Sequence, residues 1–112
     1  MTVMFPKSKR LKSKKLTNSA RGEECTLQIF GVCNHNPETT VFGHIGGAGI
    51  ALKDNDIHGC YICSSCHSWL DGGYVKTPNF PTERRKLLEL EAVIKTQKRM
   101  IQKGLIIRPE DF

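Results

Sequence analysis

The chain has 112 residues, a hydrophobic content of 38% and a formal net charge of +6. This length suits one domain with a thin hydrophobic core. No apolar run approaches the roughly 20 residues that a membrane-spanning helix requires, and the N-terminus lacks the long apolar stretch of a secretory signal. We therefore expect a cytoplasmic protein without a membrane partner, whose five cysteines stay reduced and are available to bind metal.

Positive charge is concentrated at the N-terminus. Residues 1–21 contain seven basic residues and no acidic one, whereas the other ten basic residues are offset by eleven acidic residues. We interpret residues 1–20 as a flexible basic arm that binds nucleic-acid phosphates. The side chains expected to make these contacts are Lys7, Lys9, Arg10, Lys12, Lys14 and Lys15. The alternative interpretation is a solvated tail that only aids solubility.

Hydrophobic patterning predicts an α+β fold with the element order β-β-loop-β-α-loop-α. Strands are predicted over residues 26–30, over residues 39–42 and within residues 57–62. Ser64 or Ser65 is expected to cap a short helix that begins near Cys66 and ends at Gly72-Gly73.

A long helix is predicted over about residues 82–103, with Thr82 as its N-cap and Gly104 as its stop. Apolar residues recur along it at helical spacing, opposite a basic face. These residues are Leu87, Leu90, Ile94, Ile101 and Leu105. A homodimer through this helix is left open.

Four cysteines form two short-range pairs about thirty residues apart, Cys25-x7-Cys33 and Cys63-x2-Cys66. Two such pairs commonly close a tetrahedral Zn²⁺ site. Cys60 is the rival ligand, but in an extended strand Cys60 and Cys63 point to opposite faces. We therefore assign structural zinc to Cys25, Cys33, Cys63 and Cys66 and treat Cys60 as a packing residue.

Two histidines and one carboxylate form a second candidate set. His67 and Asp71 lie one turn apart on a helix that begins near Cys66, so both face the same way. His44 follows a predicted strand and precedes a glycine-rich loop, which places it near that face. A histidine beside a bound cation can take a proton from water and so hydrolyse a phosphodiester. His35 and His58 have no comparable partners and are expected to be loop or surface residues.

The chain resembles the HNH, or ββα-metal, endonucleases, and more closely the small nucleases of lambdoid prophages. The similarity covers roughly residues 20–107. It rests on these segments: Arg21-Gly22-Glu23-Glu24-Cys25, Gly31-Val32-Cys33-Asn34, Asn36-Pro37-Glu38-Thr39, His44-Ile45, Lys53-x2-Asp56, Cys63-x2-Cys66-His67-x3-Asp71 and residues 93–106.

The resemblance implies a zinc-stabilised HNH-like nuclease domain over residues 21–112. It implies that His44 is the general base, that Asp56 is the middle residue that orients the catalytic loop, and that His67 is the last catalytic histidine. His67 and Asp71 would bind a catalytic Mg²⁺ or Mn²⁺.

The resemblance therefore implies a metal-dependent endonuclease that acts on DNA, including branched or recombining intermediates, in a phage or prophage setting. Many HNH enzymes carry an acidic residue or a second histidine just before the base, where this chain has Gly43. That difference motivates the alternative function, a zinc-stabilised nucleic-acid-binding module without catalysis.

Overall fold

The structure, a computed structural model, describes residues 11–45, 55–77 and 79–106. Its elements are α1 (Lys14–Asn18), β1 (Val41–His44), β2 (Gly59–Ile62), α2 (Ser64–Leu70) and α3 (Thr82–Gln102), with 3-10 turns at Pro37–Thr39 and Gly73–Lys76. The predicted α+β class is confirmed, and α3 matches the predicted long helix. None of the helices in these described ranges is both long and apolar enough to cross a membrane.

The sheet has two antiparallel strands, β1 and β2, in which Val41 pairs with Ile62 and His44 pairs with Gly59. On the edge of β2 away from β1, the backbone groups of Tyr61 are hydrogen-bonded by two side-chain hydroxyls and one backbone N–H. The Tyr61 carbonyl accepts hydrogen bonds from the Thr26 N–H at 2.7 Å and from the Thr26 hydroxyl at 2.9 Å. The Tyr61 N–H donates to the Thr96 hydroxyl at 3.0 Å.

The strand predicted over residues 26–30 is wrong. Only Thr26 pairs with β2 through its backbone, after which the chain turns through Gln28, whose φ is +46°. The Gln28 N–H donates to the Cys25 sulfur at 3.4 Å. Local geometry around Cys25 therefore overrides the β-pattern of this segment.

The N-terminal segment differs from the arm expected over residues 1–20. Residues 14–18 form α1, in which the Ser13 hydroxyl accepts a hydrogen bond from the Leu16 N–H. Leu16 and Ala20, one helical turn apart, are buried against Tyr61 and Met100. Two apolar residues among lysines do not form a recognisable pattern in the sequence. Their burial nevertheless holds this segment against the domain. Residues 1–10 of the expected arm lie outside the described residues.

Both predicted helix caps differ from the structure. The sulfur of Cys63, rather than the hydroxyl of Ser64 or Ser65, caps α2 by accepting from the Cys66 N–H. Pro81 precedes α3, and Thr82 is the first helical residue. Gly104 follows the C-cap of α3 and stops the helix, as predicted. Its φ of +74° is one that glycine adopts without strain.

The buried face of α3 is not the apolar row seen in the sequence. Ala92, Thr96 and Met100 are fully buried, whereas Leu87 and Leu90 are 56% and 60% exposed. Thr96 faces inward because its hydroxyl serves the edge of β2. The need for a hydrogen-bond acceptor there therefore decides which face of the helix packs against the sheet.

Alternate residues of β2 face two separate apolar clusters, as the pleat of a strand requires. Cys60 and Ile62 pack with Cys25, Cys63, Cys66, Trp69 and Ala92. Tyr61 packs on the other side with Leu16 and Met100.

Replacing Thr96 by valine should lower the free energy of unfolding by about 1–3 kcal/mol, because the buried Tyr61 N–H loses its acceptor while the volume is kept. Urea denaturation of the variant measures this change. Thr82→Val at the exposed start of α3 is the control and should change the free energy by less than about 0.5 kcal/mol. Equal effects of the two substitutions would contradict the assigned role of Thr96.

Candidate metal centre and active site

Four cysteine sulfurs meet at one point between the Cys25–Cys33 loop and the start of α2. The sulfurs of Cys25, Cys33, Cys63 and Cys66 all lie within 4.8 Å of one another. The Cys33 and Cys63 sulfurs are 3.8 Å apart. Four ligands at the usual Zn–S distance of about 2.3 Å form a tetrahedron with edges of about 3.8 Å. The predicted set of four is thus brought together with dimensions that fit zinc.

Backbone geometry places these sulfurs. The sulfurs of Cys25 and Cys63 each accept a hydrogen bond at 3.4 Å from the N–H three residues later in the chain. Such N–H donors favour a thiolate over a thiol. Gln28 within the Cys25–Cys33 loop and His35 just after it have φ of +46° and +53°, so the chain turns sharply at both points.

The proximity of the sulfurs also shifts their acidity. The hydrogen bond from the Cys66 thiol lowers the pKa of Cys25 to about 4, while that same contact, together with burial, raises the pKa of Cys66. Burial raises the pKa of Cys33 to about 11. Four thiolates so close together repel one another, and a divalent cation is the group that allows all four to ionise.

Cys60 lies outside this cluster. It is fully buried in the apolar core beside the cluster, and burial raises the pKa of its thiol to about 12. This environment is that of a packing residue, as expected from the alternation of side chains along β2.

His44 and Asp56 form a close, sheltered pair. The His44 Nε2 lies 2.7 Å from Asp56 Oδ1, and the two side chains are 17% and 5% exposed. The other carboxylate oxygen, Oδ2, accepts from the Ser13 N–H at 2.6 Å, and the Asp56 N–H donates to the Leu11 carbonyl at 2.8 Å. Asp56 therefore connects the histidine to the N-terminal segment.

The pair opens into a surface pocket of about 440 Å³. The pocket is lined by Lys12, Ser13, Lys14, Thr17, Phe42, His44 and Asp56. Two of the predicted phosphate-binding residues, Lys12 and Lys14, are thus placed beside His44, and Lys15 is exposed on α1. Lys7, Lys9 and Arg10 lie outside the described residues. Sequence reasoning missed Ser13 and Thr17, because nothing in the sequence predicts that this segment folds against residue 56.

His67 and Asp71 face the same side of α2, as predicted, with Nε2 and Oδ2 3.8 Å apart. The His67 ring rests against β1 at Gly43, the residue that precedes His44. A β-carbon at Gly43 would lie 3.6 Å from His67 Cδ2. Within the described ranges, the four cysteines are the one set of three or more potential ligands gathered together. Among the described residues, no third potential ligand is therefore gathered with His67 and Asp71.

The remaining histidines are at the surface. His35 and His58 are both exposed. The His35 Nδ1 lies 3.8 Å from the Cys33 sulfur, at the edge of the four-cysteine cluster.

The fold and the site define a small α+β domain that contains a four-cysteine cluster and two histidine–aspartate pairs. The sequence profile of the family described as "Putative nuclease YbcO" matches residues 14–105, and the chain belongs to that family. The matched range includes α1.

Three relatives agree with this assignment. The chain is 36% identical over 101 residues to "Putative nuclease YbcO" of Escherichia coli K12 and to the protein of that name from Enterobacteria phage 82, covering 81% of this chain and 95% of each relative. The solved structure described as "Structure of a putative bacteriophage protein" from E. coli K-12 shares 35% identity with a TM-score of 0.62, and the match covers 79% of this chain and 98% of that one.

We expect the purified protein to carry one zinc ion bound by the four thiolates. Cys60→Ala should leave the zinc content unchanged, whereas Cys66→Ala, also at a fully buried position, should lower it sharply. Elemental analysis against protein concentration measures both. Loss of zinc in Cys60→Ala alone would show that the ligand set is wrong.

Proposed function

We propose that this protein is an HNH-type, metal-dependent endonuclease that hydrolyses phosphodiester bonds in DNA. The single observation that supports this most is the His44–Asp56 pair at the floor of a lysine-lined pocket. A sheltered imidazole held by a carboxylate is the arrangement of a general base, and lysines suit a phosphate. The names of the relatives, which describe nucleases, support the same class of activity.

Asp56 sets the state of the base. With His44 Nε2–H donating to Asp56 Oδ1, the lone pair of the imidazole lies on Nδ1. That nitrogen can take a proton from water as the water attacks phosphorus, and the Asp56 carboxylate stabilises the resulting imidazolium. Asp56 therefore acts as a positioning residue for His44.

The catalytic cation is proposed to bind His67 and Asp71. An imidazole and a carboxylate suit Mn²⁺, and Mg²⁺ commonly takes one or two protein ligands and completes its shell with water and phosphate oxygens. The side chains of His67 and Asp71 are 43% and 72% exposed, which leaves room for those oxygens. When bound, the cation would supply charge stabilisation for the departing 3′ oxygen.

The N-terminal segment is proposed to hold the DNA. Lys12 and Lys14 line the pocket, and the basic residues of the first ten positions precede them in the chain. The phage origin of one relative supports a role in phage or prophage DNA processing, including branched recombination intermediates.

A second candidate function is a DNA-binding module without catalysis. It is favoured by Gly43 beside His67 and by the absence, among the described residues, of a third ligand next to His67 and Asp71. Both functions share the zinc centre and the basic pocket, so binding alone cannot distinguish them.

Cleavage of supercoiled plasmid and of branched DNA with Mg²⁺ or Mn²⁺ is the deciding measurement. We expect the wild type to cut and His44→Ala to be slower by a factor of about 10²–10⁴, the usual contribution of a general base. His58→Ala changes an exposed histidine two residues after Asp56. It is the control and should cut like the wild type.

All three proteins are compared at equal zinc content. If none cuts any substrate while all bind DNA, the non-catalytic module is the correct function. If all three cut equally, the activity does not come from the His44 site.

Replacing Lys12 and Lys14 together by glutamine should weaken DNA binding and make it less sensitive to salt. If each lysine contacts one phosphate, the slope of log K against log [salt] on duplex DNA should become less negative by about 1.8. Fluorescence anisotropy over a salt series measures this slope. Lys76→Gln with Lys86→Gln removes two exposed charges outside the pocket, and the same change in slope for that variant would contradict a specific role of the pocket.

A further inference from the structure

A row of large apolar side chains on α3 faces away from the domain. Leu87, Leu90, Ile94 and Ile101 are between 46% and 60% exposed. At about 100° per residue, their positions fall within about 60° of one another around the helix, on a side well away from Ala92 and Thr96. We call this set the outer row; it spans about 21 Å along the helix axis.

The spacing of the outer row is that of a helix–helix seam. Steps of three, four and seven residues correspond to the a and d positions of a heptad, with Gln97 at the one d position that is not apolar. Gln97 is used elsewhere, since its side-chain N–H donates to the Ile57 carbonyl at 2.7 Å. Single exposed apolar residues are ordinary on a protein surface, but a row at this spacing is the pattern by which two helices pack.

Charges along one edge of the outer row indicate what covers it. Arg84, Glu91 and Lys98 are seven residues apart and follow that edge. Glu91 lies three residues before Ile94, and Lys98 lies four residues after it. In an antiparallel pair of α3 helices centred on Ile94, Glu91 of one copy lies within about 1.5 Å, along the axis, of the level of Lys98 in the other copy.

We propose that the outer row is the seam of a homodimer in which α3 of two copies packs antiparallel about a two-fold axis near Ile94. The two-fold axis produces the Glu91–Lys98 contact twice, so the surface is complementary to itself. A seam of this length is smaller than a standard stable interface. The dimer is therefore weak and depends on protein concentration.

The first test is sedimentation equilibrium of the full-length, zinc-loaded protein over a wide concentration range under reducing conditions. We expect a reversible monomer–dimer equilibrium that Ile94→Lys abolishes. Val75→Lys, which changes an exposed apolar residue outside α3, is the matched control and should dimerise like the wild type. A wild type that stays monomeric at every concentration overturns the proposal, as does a dimer that Ile94→Lys leaves unchanged.

The second test reads the direction of the helices. Glu91→Lys and Lys98→Glu should each weaken the dimer about fivefold or more, because two exposed pairs become repulsive. Mixing the two single variants should restore association, since both pairs are then attractive in the heterodimer. Both variants change exposed positions, and circular dichroism checks their folding. A mixture that associates no better than the single variants overturns the antiparallel arrangement.

These tests are independent of the proposed nuclease. They require neither DNA nor a catalytic cation, and a dimer is expected whether or not His44 cuts a phosphodiester bond.

Discussion

The outer edge of β2 is the constraint on which the rest of the fold depends. A sheet of two strands leaves the N–H and carbonyl groups of Tyr61 without a neighbouring strand, and both are buried in the middle of the domain. An unpaired buried backbone group costs free energy comparable to a lost hydrogen bond. Thr26 and Thr96 satisfy these groups from two distant parts of the chain. That requirement brings the Cys25 loop and α3 to the same strand, and with the loop come Cys25 and Cys33 of the four-cysteine cluster.

The parts of the fold that the sequence predicts well are those governed by local pattern. The long helix, the strand before Cys63 and the stop at Gly104 all follow from propensity and periodicity, and the structure contains each of them. The four cysteines were also predictable, because two close pairs in one short chain have few other uses.

The errors arise where long-range contacts override local pattern. Residues 26–30 alternate like a strand, but only Thr26 reaches β2. The apolar spacing of α3 does not indicate which face is buried, because Thr96, whose hydroxyl accepts from the Tyr61 N–H, faces inward. Leu16 and Ala20 are too few to show a pattern among lysines, and their burial depends on Tyr61 and Met100, which come much later in the chain.

The same limit applies to the candidate site. His44, Asp56, His67 and Asp71 were named from the sequence, and the structure joins them as two pairs. The position of residues 11–14 against Asp56 has no sequence signal. Three hydrogen bonds fix it: Ser13 N–H to Asp56, Asp56 N–H to Leu11, and Leu11 N–H to Asn55.

The sulfur of Cys63 belongs to the four-cysteine cluster and also caps α2. It directly follows β2, whose partner strand carries His44, and it directly precedes the helix that carries His67 and Asp71. Cys63 is thus the one residue that connects β2 to α2, and its conformation determines how far the His44–Asp56 pair lies from the His67–Asp71 pair. Under the proposed function, zinc bound at Cys63 would fix the start of α2, and so the spacing of His67 and Asp71, before a catalytic cation binds to them.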